Sequence, residues 1–208
     1  MKEIRTVQLR DFVAEEHDGE MRLSGYAAVF DQPTVLFRDD RGNEYKEVID
    51  KRAFDKCDFS KCCLKYNHES SVPVLSRVRG DFMKLEVDNY GLHFDAKLFD
   101  TQTSRDIYAI VKQGGLDECS FAFTLPKDGT GDAYDKRTRT RTITAIENLW
   151  DCAVVDNPAY GGTSVSARSF LEAEAEKDNL ERLEKEAEKE ERERKIKLLE
   201  LKLKLEDQ

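Results

Sequence analysis

The sequence of 208 residues has few histidines, few prolines and no long run of apolar residues. Hydrophobic residues make up 39% of the chain, and no apolar run approaches the ~20 residues that a membrane-spanning helix needs. The charged residues that follow Met1 leave no room for the apolar segment of a signal peptide. The chain has only three histidines and four prolines, so a histidine-dependent mechanism has three candidates to consider. The sequence indicates neither a membrane protein nor a secreted one.

The five cysteines are an odd number, and no secretion signal accompanies them. Reduced thiols in a cytosolic compartment are the simplest interpretation. Cys57, Cys62, Cys63 and His68 have the right chemistry for zinc, but they lack the two Cys-x-x-Cys hooks that zinc ribbons and knuckles use. We therefore expect no metal and no other cofactor.

Acidic residues outnumber basic ones by 43 to 34, which gives a formal net charge of -9. No strongly basic patch is present, so nucleic acid is not an expected partner. Lys136, Arg137, Arg139 and Arg141 alternate with threonine, a pattern that predicts a strand with one solvated face. At this length the chain has room for one moderate domain and an appendage.

Residues 1–167 read as short strands separated by turn signals, and they predict one domain. A strand at 7–13 is expected to pair with 21–27 across Asp18-Gly19, since Asp-Gly is a strong hairpin signal. A second hairpin is expected to join strands at 82–87 and 92–98. Its alternation places Leu92, Phe94, Ala96 and Leu98 on one face and His93 on the other.

A short helix is predicted at 104–113, with Ser104 as its N-cap and Gly114-Gly115 as its end. Two more strands are predicted at 118–125 and 141–155. Together the elements predict a mainly β, α+β fold in which one closed or half-closed antiparallel sheet packs against one or two helices.

The composition changes abruptly near Arg168, and residues 168–208 are predicted to form a long charged helix. Positions 170–205 contain no glycine or proline, and strong helix formers dominate. Apolar residues recur at helical spacing near both ends, but the middle has too few for a continuous coiled-coil seam; they are Leu180, Leu183 and Ala187, then Ile196, Leu199 and Leu203. Two interpretations stay open: a solvated, partly frayed helix, or an assembly helix that pairs with itself or a scaffold partner.

His68 is the strongest candidate for a catalytic base among the three histidines. It ends the apolar segment 62–67 and enters a loop, a position from which an imidazole can reach a reacting group. His17 lies in a predicted hairpin turn, and His93 lies on the polar face of a strand. Both positions are typical of surface residues.

Ser120 is the candidate nucleophile. On a strand, Ser120 shares its face with Ala122 and Thr124, whose small side chains leave space above the hydroxyl. A nucleophilic serine needs that space and a base within hydrogen-bond reach. The chain has no Gly-x-Ser-x-Gly elbow, which argues against an α/β-hydrolase.

Asp151 is the candidate that would orient the base. It is a carboxylate within the apolar segment 149–155, where a buried charge needs a partner such as a histidine. Glu147 has the same strand parity and is the alternative. Spacing in the sequence does not decide between the two.

Several segments, in this order, resemble the prohead (capsid maturation) protease family of tailed phages. The resemblance runs from about Gly25 to Tyr160, most of the first region. Its motifs are residues 25–30 (GYAAVF), 47–54 (EVIDKRAF), 67–69 (NHE) with 72–77 (VPVLSR), 91–96 (GLHFDA), 119–123 (CSFAF) and 149–160 (LWDCAVVDNPAY). The sequence departs from the family's usual residues at Ser76, Cys119, Ala122 and Cys152.

The resemblance implies a small antiparallel β-barrel surrounded by helices, similar to the herpesvirus assembly protease. It also implies a serine endopeptidase that acts in the host cytoplasm inside the immature capsid. Its substrates would be the scaffold protein, scaffold segments of the major capsid protein, and the protease itself. Ser120, His68 and Asp151 would be its catalytic residues.

Two rival functions remain open at this stage. One is a non-enzymatic assembly protein, a β-domain that carries a scaffolding helix. The other is a cysteine protease that uses Cys119 or Cys152. Cys119 lies on the opposite strand face from Ser120, so the two side chains cannot both meet one base.

Overall fold

The computed structural model describes residues 2–8, 12–17, 19–156 and 165–206, and the chain divides into two compact units after Arg168. The described elements follow one another in this order: β1 (Lys2–Gln8), β2 (Val13–His17), β3 (Glu20–Val29), β4 (Thr34–Arg38), β5 (Glu44–Ile49), β6 (Cys63–Tyr66), β7 (Ser76–Arg77), β8 (Met83–Val87), β9 (Gly91–Lys97), α1 (Gln102–Lys112), β10 (Glu118–Thr124), β11 (Asp132–Asp135), β12 (Thr140–Ile143), β13 (Asn148–Val155) and α2 (Val165–Glu206).

The strands of the first unit form three sheets. A five-stranded sheet has the order β1-β10-β13-β6-β7, and two four-stranded sheets have the orders β11-β12-β5-β4 and β2-β3-β9-β8. The pairs β13–β6 and β12–β5 are parallel, and the other strand pairs described are antiparallel. The predicted mainly β, α+β class is therefore confirmed.

The prediction of a small closed barrel surrounded by helices is wrong. A barrel closes only when the first and last strands of a sheet pair with each other. Across the described residues each sheet stays open, because its two outer strands do not pair with each other. The edge strand β7 has two residues and is too short to pair with a further strand. Among the described elements, α1 is the helix that lies wholly in the first unit, so helices do not surround the sheets.

The N-terminal strands differ from the prediction of one strand at 7–13. β1 ends at Gln8 and β2 begins at Val13, while residues 9–11 lie outside the described part. β2 pairs with β3 as the expected hairpin; Asp18 of its turn lies outside the described residues, and Gly19 has φ +79°. β1 instead pairs with β10, more than a hundred residues away in the sequence. Local alternation gives no information about such a distant partner.

The second hairpin is confirmed. β8 pairs antiparallel with β9, and Leu92, Phe94, Ala96 and Leu98 are all buried on one face. At Gly91, a side-chain Cβ would lie 2.0 Å from the main-chain oxygen of Ala28. This close approach of two backbones requires glycine at the start of β9.

The N-cap of helix α1 is Thr101, three residues before the predicted N-cap Ser104. The Thr101 hydroxyl accepts a hydrogen bond from the Ser104 main-chain N–H at 3.1 Å. Ser104 is buried within the first turn. Gly114, with φ +74°, follows the end of the helix as predicted.

The predicted strand at 141–155 is wrong as one element, since it is divided into β12 and β13. The connecting main chain binds three different partners: Thr144 N–H donates to Gly131 O, Ile146 N–H to Ala53 O and Glu147 N–H to Thr124 O. These bonds turn the chain from the β11-β12-β5-β4 sheet into the five-stranded sheet. The turn brings β13 next to β10.

The core beneath β10 is aromatic. Phe121 and Phe123 point to the same side of β10 with ring centroids 5.2 Å apart, and Phe54 lies 6.2 Å from Phe121. All three side chains are buried. Burying an aromatic side chain contributes roughly 1.5–3 kcal/mol to the stability of the fold. These contacts therefore stabilise β10, the strand that carries Ser120.

The predicted long charged C-terminal helix is confirmed as α2, which has 42 residues. Ion pairs between successive turns support it, such as Arg182 with Glu186 at 2.5 Å and Lys195 with Glu191 at 2.7 Å. Apolar side chains at Leu180, Leu183, Ile196, Leu198 and Leu199 are exposed. No helix in the described ranges is long and apolar enough to cross a membrane.

Candidate active site

Ser120 lies in the middle of the five-stranded sheet. Its strand β10 has β1 on one side and β13 on the other, and Ser120 pairs with Thr6 and Ala153 across these ladders. Alternation along β10 turns Ser120 and Ala122 away from the aromatic core, as the sequence predicts. The residue is only 1% exposed.

His68 reaches the same face of the sheet through a sharp turn after β6. Asn67 and His68 have φ of +49° and +57°, a left-handed conformation that costs about 1–3 kcal/mol for a residue other than glycine. The turn is held by Asn67 N–H donating to Val154 O at 3.0 Å, and by Glu69 N–H donating to Tyr66 O at 3.0 Å. Two consecutive residues in this conformation fold the imidazole back over the sheet.

Asp151 lies on β13, directly opposite Ala122 of β10 and Cys63 of β6. The residue is 1% exposed. Because β13 runs parallel to β6, the start of β6 lies beside Asp151 and its last residue, Tyr66, lies beside Val154. The turn at Asn67 and His68 then brings the candidate base back to the candidate carboxylate.

The three side chains form a continuous chain of hydrogen bonds. Ser120 Oγ lies 2.7 Å from His68 Nε2, and His68 Nδ1 makes a short hydrogen bond with Asp151 Oδ1. An ionised carboxylate can only accept, so the second bond assigns the proton to Nδ1 and leaves Nε2 free to accept from the serine. Such an arrangement can activate a hydroxyl for attack on a carbonyl carbon.

The Ser120 hydroxyl has a second acceptor within reach. The main-chain oxygen of Arg5, on β1, lies 2.8 Å from Ser120 Oγ. A hydroxyl has one proton, so Ser120 donates either to Arg5 O or to His68 Nε2 at any moment. Two acceptors hold the oxygen in place between β1 and the imidazole.

Asp151 stays ionised although it is buried. Burial acts to raise its pKa, but hydrogen bonds from His68 and Lys2, together with the charges of both groups, outweigh this effect and lower the pKa below its usual value. The Lys2 ammonium lies 2.6 Å from Asp151 Oδ2. Both carboxylate oxygens therefore have a partner.

The other candidate residues lie elsewhere. Glu147 is exposed and precedes β13, so it does not share the strand alternation of Asp151. His93 packs edge-on against Tyr26 with ring centroids 5.0 Å apart. The side chain of His17 lies outside the described part of the chain.

The cysteines are free thiols, and those nearest the site are unsuited to nucleophilic attack. Cys119 and Cys152 are fully buried. Burial raises the pKa of Cys119 to about 12, and a hydrogen bond with Cys62 together with burial raises the pKa of Cys152 well above its usual value. A thiol needs a lowered pKa to act as a nucleophile near neutral pH.

A buried ion cluster lies on the other side of β1, and sequence reasoning missed it. Arg5 Nη2 donates to Glu3 Oε2 and to Glu47 Oε2, each at 2.6 Å. Arg141 donates to Glu3 Oε1 at 3.0 Å and to Glu47 Oε2 at 3.1 Å. The prediction of a solvated face is wrong for Arg141, which is 4% exposed. Glu47 lies on the same face of β5 as the buried Tyr45 and Ile49, so the alternation of this strand could have indicated that Glu47 is buried.

A family model described as the caudovirus prohead serine protease matches residues 9–178, which is most of the chain. This chain belongs to that family. Among solved structures, it is similar to the capsid assembly protease of bacteriophage T4, with 11% sequence identity and a TM-score of 0.46. That similarity covers 76% of this chain and 98% of the T4 chain. No curated protein matches.

Family membership makes this chain a serine protease of phage capsid maturation, and it confirms the resemblance that the sequence motifs indicated. One departure from the family's usual residues has a clear structural role. Ser76, on β7 of this prohead protease, is buried, and its hydroxyl lies 2.7 Å from Lys97 O and 3.2 Å from Phe82 O. It thereby joins the five-stranded sheet to the β8–β9 hairpin.

Proposed function

We propose that this prohead protease cleaves peptides by acyl transfer, with Ser120 as nucleophile, His68 as general base and Asp151 as the group that orients the base. The continuous hydrogen-bond chain from Ser120 Oγ through both imidazole nitrogens to Asp151 is the observation that carries the proposal. Within the described part of the chain, no other histidine is hydrogen-bonded to both a serine and a carboxylate.

In the first step His68 Nε2 accepts the Ser120 proton while Oγ attacks the carbonyl carbon of the scissile peptide. The imidazolium that forms then gives this proton to the leaving amine, and an acyl-enzyme ester remains on Ser120. In the second half His68 takes a proton from water while the water oxygen attacks the carbonyl carbon of the ester. The bond from this carbon to Ser120 Oγ then breaks, the carboxylic acid product leaves, and His68 returns the proton to Oγ. No cofactor is needed for either half.

Asp151 contributes by fixing the imidazole and by stabilising its charged form. Its hydrogen bond with His68 keeps the imidazole proton on Nδ1, so that Nε2 is free to accept the proton of Ser120. The lowered pKa of Asp151 keeps it ionised at the pH where the base works. The buried, neutral thiols of Cys119 and Cys152 support a serine mechanism over a cysteine one.

The substrates that we propose are the scaffold protein or the scaffold segments of the major capsid protein, and the protease itself. Membership in a prohead protease family supports capsid proteins as substrates and the interior of the immature capsid as the place of action. It also favours an enzyme over a purely structural assembly protein. In the proposed setting the prohead assembles in the host cytoplasm and encloses the protease with its substrates.

The acid side of the pH profile tests the role of His68. An ordinary imidazole has a pKa of about 6.5, and only the neutral base can accept the Ser120 proton. Asp151 is ionised across this range because its pKa is lowered. We expect the initial rate of shortening of the cognate scaffold or capsid protein to fall as the pH is lowered from 8 to 5, because the imidazolium cannot accept a proton.

The rate is measured by quantitative gel densitometry with purified substrate. Circular dichroism of the protease at both pH values serves as the control that folding is unchanged. A flat rate from pH 5 to pH 8 would contradict His68 as base. Absence of cleavage at every pH would instead favour the structural assembly protein.

We further propose that α2 recruits the protease by pairing with itself or with a helical scaffold segment. The apolar residues Leu180, Leu183, Ile196 and Leu199 support this role, since they are exposed at helical spacing and available to contact another helix. Their interrupted spacing suits two short contacts better than one continuous coiled coil. The first unit would remain the catalytic domain.

Deleting residues 179–208 tests recruitment while it leaves the whole family region at 9–178 in place. We expect the truncated protease to cleave purified substrate at a rate within about twofold of wild type. Its copy number per purified prohead should fall at least fivefold, because the contacts that concentrate it are gone. Immunoblots of proheads give the copy number.

A matched variant, Leu180→Lys with Leu183→Lys, keeps a strong helix former at each position and removes only the apolar contact. It should show a similar loss of incorporation. Unchanged copy number in both variants would overturn the recruitment role of α2.

A further inference from the structure

Strand β1 supplies a charged group to the candidate site from outside the matched family region. The family model begins at residue 9, whereas β1 spans Lys2–Gln8. The Lys2 ammonium lies 2.6 Å from Asp151 Oδ2, on the opposite carboxylate oxygen from the one that His68 binds. Asp151 is thus held between two cationic partners whenever the imidazole is protonated.

The position of Lys2 follows from the register of β1 on the strand of the nucleophile. Lys2 pairs with Thr124 and Thr6 pairs with Ser120, so β1 runs beside β10 along its whole length. Alternation puts Lys2 on the face of Ser120 and puts Glu3 and Arg5 on the opposite face. The hydrogen bond from Ser120 Oγ to Arg5 O fixes the same strand at the nucleophile itself.

The buried ion cluster holds β1 in this register. Glu3 and Arg5 bind Glu47 of β5 and Arg141 of β12, and all four side chains are buried. Breaking one member would leave uncompensated buried charge, which costs several kcal/mol. Lys2 therefore approaches Asp151 from a strand that is fastened to a second sheet, although its own side chain is 42% exposed.

Three thiols of the described residues also lie near Asp151, and none of them is charged near neutral pH. Cys63 on β6, Cys119 on β10 and Cys152 on β13 all respond to its charge. Burial raises the pKa of Cys63 to about 11 and that of Cys119 to about 12, and the pKa of Cys152 is raised as well. The charges that face the carboxylate are those of Lys2 and of the protonated His68.

We propose that Lys2 is a positioning residue of the Ser120–His68–Asp151 centre, which orients Asp151 and limits how strongly it stabilises the imidazolium. The proposal rests on the proposed role of this centre in proteolysis. A neighbouring positive charge disfavours a second one, so Lys2 keeps His68 neutral at a lower pH than Asp151 alone would allow. The practical consequence is a working range that extends further to the acid side.

The test compares Lys2→Met, Lys2→Arg and Lys97→Met in the full chain, with any affinity tag at the C-terminus. Lys97 is the matched control, because it makes a surface ion pair with Glu20 on β3 and has similar exposure. We expect the acid limb of the cleavage profile to move up by about 0.5–1 pH unit in Lys2→Met. In Lys2→Met the rate at pH 8 should fall less than the rate on the acid limb, whereas Lys2→Arg and Lys97→Met should keep the wild-type limb.

A uniform loss of rate without a shift of the limb would mean that Lys2 serves only to anchor β1, and it would overturn the proposal. A shift to lower pH would overturn it as well. NMR titration of the imidazole in a Ser120→Ala background gives a second readout that needs no activity. His17→Gln and His93→Gln assign the His68 signal, and its midpoint should rise when Lys2 is replaced by methionine.

The two readouts separate the proposals. Cleavage that persists in Ser120→Ala would remove the serine mechanism and leave the charge coupling among Lys2, Asp151 and His68 intact. A midpoint that does not move would remove the role of Lys2 and leave the serine mechanism intact.

Discussion

Ser120→Ala is expected to abolish cleavage of the cognate scaffold or capsid protein, and His68→Ala is expected to do the same. Each variant removes one partner of the 2.7 Å contact between Ser120 Oγ and His68 Nε2. Removing the nucleophile or the base of a serine protease costs about 10⁶-fold in kcat, because the two act as a unit. The double variant should therefore be no worse than either single one.

The measurement is co-expression of each variant with the cognate substrate, scored for shortening on a gel and for prohead assembly by electron microscopy. Ser104→Ala and His93→Ala are matched controls: Ser104 is buried on α1, and His93 packs against Tyr26 on a different sheet. Both controls should cleave normally. Assembled but uncleaved proheads in the two test variants would isolate the chemical step from folding.

Persistent cleavage in Ser120→Ala would exclude the serine and direct attention to the cysteines. Their raised pKa values make that outcome unexpected, and thiol alkylation of the wild type would decide it. Alkylation should leave the wild-type rate unchanged if Ser120 is the nucleophile.

Asp151→Asn is expected to lower kcat by about 10⁴-fold, the loss seen when the carboxylate of a serine–histidine–aspartate centre becomes an amide. The amide removes the charge that stabilises the imidazolium. It also allows the imidazole proton to move to Nε2, where it blocks acceptance from Ser120. The Lys2 ammonium would then face a neutral group, which further disfavours a protonated His68.

Glu147→Gln is the matched control for Asp151→Asn, since strand parity in the sequence made Glu147 the alternative to Asp151. Glu147 is exposed and lies before β13, so its variant should keep wild-type kcat within about twofold. Single-turnover rates on purified substrate give the comparison, and thermal unfolding checks that each variant is folded. A large loss in Glu147→Gln with little loss in Asp151→Asn would reverse the assignment.

The local elements were largely predictable, because they depend on neighbouring residues. The β8–β9 hairpin and the end of α1 at Gly114 follow from turn residues and alternation. Two errors came from competition among local signals: Thr101 caps α1 where Ser104 was expected, and the chain leaves its strand between Ile143 and Asn148. In each case a nearby polar group or a bond to a distant backbone decided the boundary.

The family was readable from the sequence, which also supplied the candidate site residues, whereas the way these residues come together was not readable. The order of the motifs indicated Ser120, His68 and Asp151 as candidates, because residue types and local patterns can be recognised without knowledge of the fold. Only the tertiary structure decided that the sheets of the described residues stay open and that Arg141 is buried. It also decided that Asp151 is hydrogen-bonded to His68, whereas Glu147 is exposed and precedes β13. It also placed β1 beside Ser120 and Lys2 on Asp151. These contacts join residues 83 to 149 positions apart, and strand pairing over such distances depends on the packing of the whole chain.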